Sequence, residues 1–249
     1  MRTTTLILYL LVFLSSGQPA GHAASNWPQF RGPDGQAAAT DGKTPAQFGA
    51  TTNLLWKAAL PPGHSSPCIW GDRIFLTGFE NGELETFCLD RRDGRVLWRT
   101  PVTAEKVEPF HRLGSPAAPT PATDGERVFV YFGSLGLIAY DYSGHEVWRK
   151  VLPIPMIEFG AGTSPILAGE LLVLVCDQDL GSFLLAVDRR TGRTVWRTER
   201  PEFRRSFSSP YLWRHDGVEE IIVTGTVWLK AYDLKDGKER WKMRGLARV

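Results

Sequence analysis

Asp188-Arg189-Arg190-Thr191-Gly192-Arg193-Thr194-Val195-Trp196-Arg197 is the stretch that decides the fold, because the chain writes it four times. Asp90-Arg91-Arg92-Asp93-Gly94 precedes Leu97-Trp98-Arg99, and Asp141-Tyr142-Ser143-Gly144 precedes Val147-Trp148-Arg149. Asp233-Leu234-Lys235-Asp236-Gly237 precedes Arg240-Trp241-Lys242. In each, the Asp can accept hydrogen bonds from the turn backbone and the Gly can take positive φ, so each phrase reads as a tight turn leading into a strand that carries a Trp. A fifth phrase, Leu55-Trp56-Lys57, lacks the turn. Successive tryptophans Trp56, Trp98, Trp148, Trp196 and Trp241 are 42, 50, 48 and 45 residues apart, the length of a four-stranded unit.

The other end of each unit carries its own mark, a hydroxyl residue followed by Pro: Ser66-Pro67, Thr120-Pro121, Ser164-Pro165 and Ser209-Pro210. Gly71, Gly125 and Gly169 follow the first three prolines by four residues and open the next strands, Arg73 to Thr77, Arg127 to Phe132 and Leu171 to Val175. In the last unit Ile221 to Thr224 comes later, after an insertion at His215-Asp216-Gly217. Each unit reads as strand A after the Pro, strand B, strand C ending at the Asp, and strand D with the Trp. Four consecutive antiparallel strands form a propeller blade, and the expected fold is all-β, a β-propeller with blades at about residues 61–100, 101–150, 151–198 and 199–244. Asn53 to Leu60, with Trp56, reads as an orphan strand D ahead of them. Because a ring closes when its last blade supplies the missing strands, the 249 residues are expected to be part of a ring of roughly eight blades.

Composition narrows the function classes. Hydrophobic residues are 43% of the chain, enough for a core, and 29 Lys+Arg against 27 Asp+Glu leave a net charge of +2 that offers no long-range field for nucleic acid. Arg2 followed by the nine apolar residues Leu6 to Leu14 and small residues up to Ala23 reads as a secretory signal peptide over 1–23, being too short for the roughly 20 residues of a membrane span. The mature chain is therefore expected to be exported, to the periplasm or beyond the cell. Cys68, Cys88 and Cys176 are odd in number and show no CxxC spacing, so they read as small buried hydrophobes. The five histidines show neither HExxH nor a close pair, and GxSxG, Walker and strand-associated GxGxxG motifs are absent. Asp177-Gln178-Asp179 lacks the following Gly and distal Glu of a calcium loop and reads as a hairpin tip.

The turn-Gly-x-x-x-Trp-Arg signature with Ser/Thr-Pro before strand A resembles the pyrroloquinoline-quinone-like (PQQ-like) propeller repeat. The opening Asn26-Trp27-Pro28-Gln29-Phe30-Arg31-Gly32-Pro33 is similar to the start of exported bacterial proteins built from that repeat. The resemblance runs from about Asn26 to Trp241. Quinone-dependent dehydrogenases of this fold hold the quinone with calcium in the central channel under two adjacent cysteines; here no two cysteines are adjacent and no Asp can be carried over as catalytic base. The resemblance therefore implies the non-catalytic branch, which includes the scaffold subunit of outer-membrane protein assembly, with a protein partner in the envelope and no cofactor. PQQ with calcium belongs to the alternative reading as an oxidoreductase, and a polysaccharide-binding propeller is a third.

Topology says where a site would lie. Strand A is innermost, so the D-to-A connections gather at one mouth of the channel, and loops on a rigid scaffold carry function. The candidates are His64, Ser65, Phe110, His111, Arg112, Glu158, Phe159, Arg204, Arg205 and Phe207, which combine aromatics with Arg as binding hot spots do. Nothing in their spacing makes His111 and Glu158 an acid–base pair. The tryptophans are expected between blades and the Arg or Lys after each on the solvent side. Residues 24–53, rich in Gly and Pro, read as a leader arm held against the propeller of residues 54–249, with Trp27 and Phe30 as its anchors.

Overall fold

The computed structural model describes residues 26–39 and 45–245; the expected signal peptide lies outside them. Four antiparallel sheets of four strands follow one another along the chain. The first is β1 (Cys68–Trp70), β2 (Arg73–Glu80), β3 (Glu83–Asp90) and β4 (Val96–Thr103); the second is β5 (Ala122–Thr123), β6 (Arg127–Phe132), β7 (Gly136–Asp141) and β8 (Glu146–Lys150). The third is β9 (Ile166–Ala168), β10 (Leu171–Cys176), β11 (Phe183–Asp188) and β12 (Thr194–Glu199); the fourth is β13 (Tyr211–His215), β14 (Val218–Thr224), β15 (Trp228–Asp233) and β16 (Glu239–Arg244). Each strand A begins at the residue directly after its Pro, because Pro has no N–H for a ladder and its φ suits the entry to a strand.

The middle strands read as continuous apolar runs, such as Phe183-Leu184-Leu185-Ala186-Val187, because a blade has a neighbour on each face and both sides of these strands are buried. Three clusters fill the gaps between successive blades. Cys68, Phe75, Val128 and Tyr140 join the first two; Phe129, Trp148, Leu172 and Leu185 join the second and third; Val173, Trp196, Ile221 and Tyr232 join the third and fourth.

The repeated tryptophans close these seams. Trp56, Trp98, Trp148 and Trp196 donate their indole N–H to the carbonyls of Arg91, Tyr142, Arg189 and Leu234, all in the turn of the next blade, at 2.9–3.0 Å. Each ring lies on that turn's glycine: a Cβ on Gly94, Gly144, Gly192 or Gly237 would come within 2.4–2.7 Å of it. These glycines also have φ of +68° to +87°, so both backbone and space require Gly. In all four blades the residue before the Trp (Leu97, Val147, Val195, Arg240) is the extra residue of a β-bulge against strand C. A bulge bends and twists its strand, and in the first three blades the Trp beside it turns toward the next blade.

The Ser/Thr-Pro marks form a second seam near the axis. Ser66 N–H donates to Thr120 Oγ1 (3.0 Å), Thr120 N–H to Ser164 Oγ (3.0 Å) and Ser164 N–H to Ser209 Oγ (2.9 Å). A group that would be an orphan donor at each strand start is thus satisfied by the following blade.

One expectation is corrected. Asn53 to Leu60 is not a strand, since no neighbouring strand among the described residues pairs with its backbone. Only its Trp56 behaves as the repeat demands, docking on Gly94 of the first blade.

Candidate functional site

Antiparallel alternation sends the D-to-A connections and the B-to-C hairpin tips to the same end of the blades. There the side chains singled out in the sequence meet across blade boundaries. Phe79 and Phe110 pack edge to face at 5.7 Å, His111 lies 5.7 Å from Phe159, and Phe159 meets Phe207 edge to face at 6.3 Å. All but Phe79 of these rings belong to exposed residues, and exposed Leu113 and Met156 extend the apolar surface.

Charge is organised around them. Arg205 donates through Nε and Nη2 to both Asp179 oxygens (2.6 and 2.9 Å) and through Nη1 to Glu158 (2.7 Å). The pair holds the Asp179 carboxyl below its ordinary value through the Arg205 hydrogen bonds. Glu158 is therefore committed to Arg205 and not to His111, whose Nδ1 accepts the Leu113 N–H at 3.2 Å. Arg112 and Arg204 are exposed and make no side-chain ion pair among the described residues. Arg204 lines, with Trp228, Glu202 and Asp179, an open groove of about 700 Å³ between the last two blades. Val227 in that groove has φ of +75°, a strained conformation for a β-branched residue.

Two candidates serve the scaffold. Ser65 Oγ accepts the Thr77 N–H at 3.0 Å and ties the loop to β2; His64 donates its backbone N–H to Ala117 O at 3.1 Å while its ring stays exposed.

The arm lies along the inner strands A. Trp27 pairs with Ile69 on the free edge of β1, Pro28 O accepts Thr123 N–H of β5 at 2.8 Å, and Gln29 Oε1 accepts Leu167 N–H of β9 at 2.8 Å. Farther on, Asp34 pairs with Arg214 of β13 at 3.2 Å and Gly35 lies against the Tyr211 ring. Residues 27–35 thus run along the inner strands of all four blades. Phe30 lines a cavity of about 250 Å³ left between the arm and the last blade.

One family model, described as outer membrane protein assembly factor BamB, matches residues 40–210 and 88–248. The chain belongs to this BamB family. BamB of Alkalilimnicola ehrlichii is 30% identical over 145 residues, 55% of this chain and 33% of that protein, so the chain spans about a third of this curated relative. The crystal structure of BamB from Moraxella catarrhalis superposes with a TM-score of 0.54 at 19% identity, over 79% of this chain and 56% of that one. The quinohemoprotein alcohol dehydrogenase ADHIIG from Pseudomonas putida HK5 superposes with a TM-score of 0.62 at 15% identity, over 88% of this chain and 40% of that one. At such identities the solved structures share the fold.

Several residues of this face are not marked in the sequence. Arg200 is fully buried and forks onto Asp177 (2.7 and 2.9 Å), donates to the Tyr232 hydroxyl and stacks 3.8 Å from the Phe203 ring. With Gln178 accepting Met156 N–H and Asp179 on Arg205, the Asp177-Gln178-Asp179 tip is a junction of three loops. Glu108, two residues before Phe110, is buried as well. Only a side chain in a non-repeated loop that lacks solvent could have drawn attention to it, and burial is not written in the sequence.

Proposed function

We propose that this chain is a non-catalytic, exported scaffold whose D-to-A and B-to-C loop face docks a protein partner in the cell envelope, the periplasm being its place of work. The observation that carries this reading is the contiguous line of exposed Phe110, His111, Phe159 and Phe207, flanked by Arg112 and Arg204, which make no ion pair among the described residues, and held by the Arg205 clamp. Aromatic and Arg side chains grouped on rigid loops are what protein interfaces use as anchors. Membership in a family described by outer-membrane protein assembly supports the class of partner, and no helix among the described residues is long and apolar enough to cross a membrane.

The quinone reading fits this chain poorly. Cys68 and Cys88 sit on either side of Phe75 in one cross-strand row, two strand spacings or about 10 Å apart, and Cys176 lies in the third blade. Among the described residues no three His, Cys, Asp or Glu side chains converge to hold a cation, and residues 27–35 lie along the inner strands.

Recovery of envelope partners with the wild-type chain and with an Arg112→Ala, Arg205→Ala, Phe159→Ala variant tests the docking reading. The expected result is a partner lost or weakened at least tenfold by the variant; a partner retained at full affinity contradicts it. Addition of the quinone with calcium should leave the absorption spectrum of the quinone unshifted.

A further inference from the structure

One buried group on this face has no structural reason to be an acid. Glu108, in the connection between β4 and β5, is 2% exposed. Its Oε1 accepts the Ala161 N–H at 3.0 Å from the connection between β8 and β9, its own N–H donates to Ser134 Oγ at 3.0 Å, and its Oε2 has no hydrogen-bond partner. The carboxyl lies on Gly133, the residue after β6, where an added Cβ would fall 1.5 Å from Oε2. In the fourth blade Gly225, the residue after β14, is covered by the Phe203 ring, 2.1 Å from a notional Cβ. In the first blade Gly78 is covered by Phe87 and Pro61. Glycines near the ends of β2 and β14 are thus covered by apolar groups, whereas Gly133 is covered by a carboxyl. A buried carboxylate oxygen left without a hydrogen-bond partner calls for a reason.

Apart from the Ala161 N–H, the surroundings supply no compensation for a charge. The titratable groups next to it are the Tyr131 hydroxyl on β6 and, 3.9 Å beyond, the Cys176 thiol on β10, and burial keeps both protonated, the thiol pushed up to about 12. On the facing loop Glu158 is engaged by Arg205. On its own loop Lys106, His111 and Arg112 are exposed, and no Lys, Arg or His side chain pairs with Glu108 among the described residues.

We propose that Glu108 is a proton-operated latch on the docking face: uncharged, it pins the loop that carries Phe110, His111 and Arg112 to the loop that carries Glu158 and Phe159, and ionised, it releases them. Its consequence for partner binding rests on the docking reading above; the latch itself does not. Desolvation raises the carboxyl from its ordinary 4.5 to about 7. The sign follows: in the open loop the group ionises first, so the closed form is most favoured below the ordinary value and loses ground as pH rises to about 7, where the effect levels off.

The test is amide exchange of the full chain without partner, divided at each pH by the intrinsic exchange rate. The protection of Ala161 and of residues 104–121 should fall about tenfold per pH unit between about 5 and 7 and flatten above. Glu108→Gln keeps the acceptor for Ala161 without the charge and should show flat protection. Gly133→Ala should expel the side chain and give low protection at every pH. Carbon-13 titration of the Glu108 carboxyl in the wild type should give a midpoint near 7. A midpoint near 4.5, or the same pH dependence in wild type and Glu108→Gln, overturns the latch. A flat latch with an intact partner interaction leaves the docking reading standing, and the reverse result separates them equally.

Discussion

Trp148 buries its ring on Gly192 and gives its indole N–H to Arg189 O, so a single residue fills the seam and satisfies a backbone carbonyl of the next blade. Trp148→Ala should cost about 3–5 kcal/mol in chemical denaturation. Trp241, about a third exposed and bonded to Glu220 of its own blade at 3.1 Å, should cost only about 1 kcal/mol. At Asp177 and Arg200 the asymmetry is sharper. Removing one partner by Asp177→Ala strands a buried guanidinium and should cost about 3–5 kcal/mol, while Asp177→Leu with Arg200→Met should recover most of it, as measured by paired unfolding curves. The three cysteines are buried and free, with Cys88 pushed up to about 11 by burial. A thiol reagent at pH 8 should therefore label none of them until the chain is unfolded.

At the scale of elements, the repeat made some features readable and hid others. Trp, Asp-Gly and Ser/Thr-Pro recur in register, so their positions predicted each strand A and strand D, and the structure begins every strand A directly after its Pro. The reason behind the hydroxyl was not readable: it accepts an N–H from the preceding blade, a contact 44 to 54 residues away in the chain. Ser164→Ala removes one such acceptor and should cost about 1–3 kcal/mol in a denaturation curve, with Ser164→Thr restoring most of it. The bulge is not legible in the sequence because Val147 and Val195 look like ordinary strand residues; only pairing against strand C shows them to be extra. Asn53 to Leu60 misled in the other direction. Its Trp matches the repeat, but a strand is defined by its partner, and local sequence says nothing of whether one is present.

Across the whole molecule, the loop face draws its pieces from connections that share no period. The aromatic and Arg character of His64, Phe110, Phe159, Arg205 and Phe207 was visible in the sequence, and blade topology placed those loops at one end. Their mutual contacts, the Arg205 clamp and the buried Glu108 depend on how neighbouring blades are stacked, which no single loop encodes. The arm is likewise a property of the assembled blades, since Gln29 meets Leu167, 138 residues on. Gln29→Ala leaves the Leu167 N–H without its partner and should lower the melting temperature by a few degrees. The most direct test of the central claim is a photo-crosslinking scan in envelope extract. A photoreactive residue is placed at Arg112, Phe159 or Arg204 on the loop face, and at Asp93, Ser143 or Lys235 on the opposite turns. The account predicts one partner band from the loop-face positions and none from the turns. A partner captured from the turns while the loop face stays silent would contradict it.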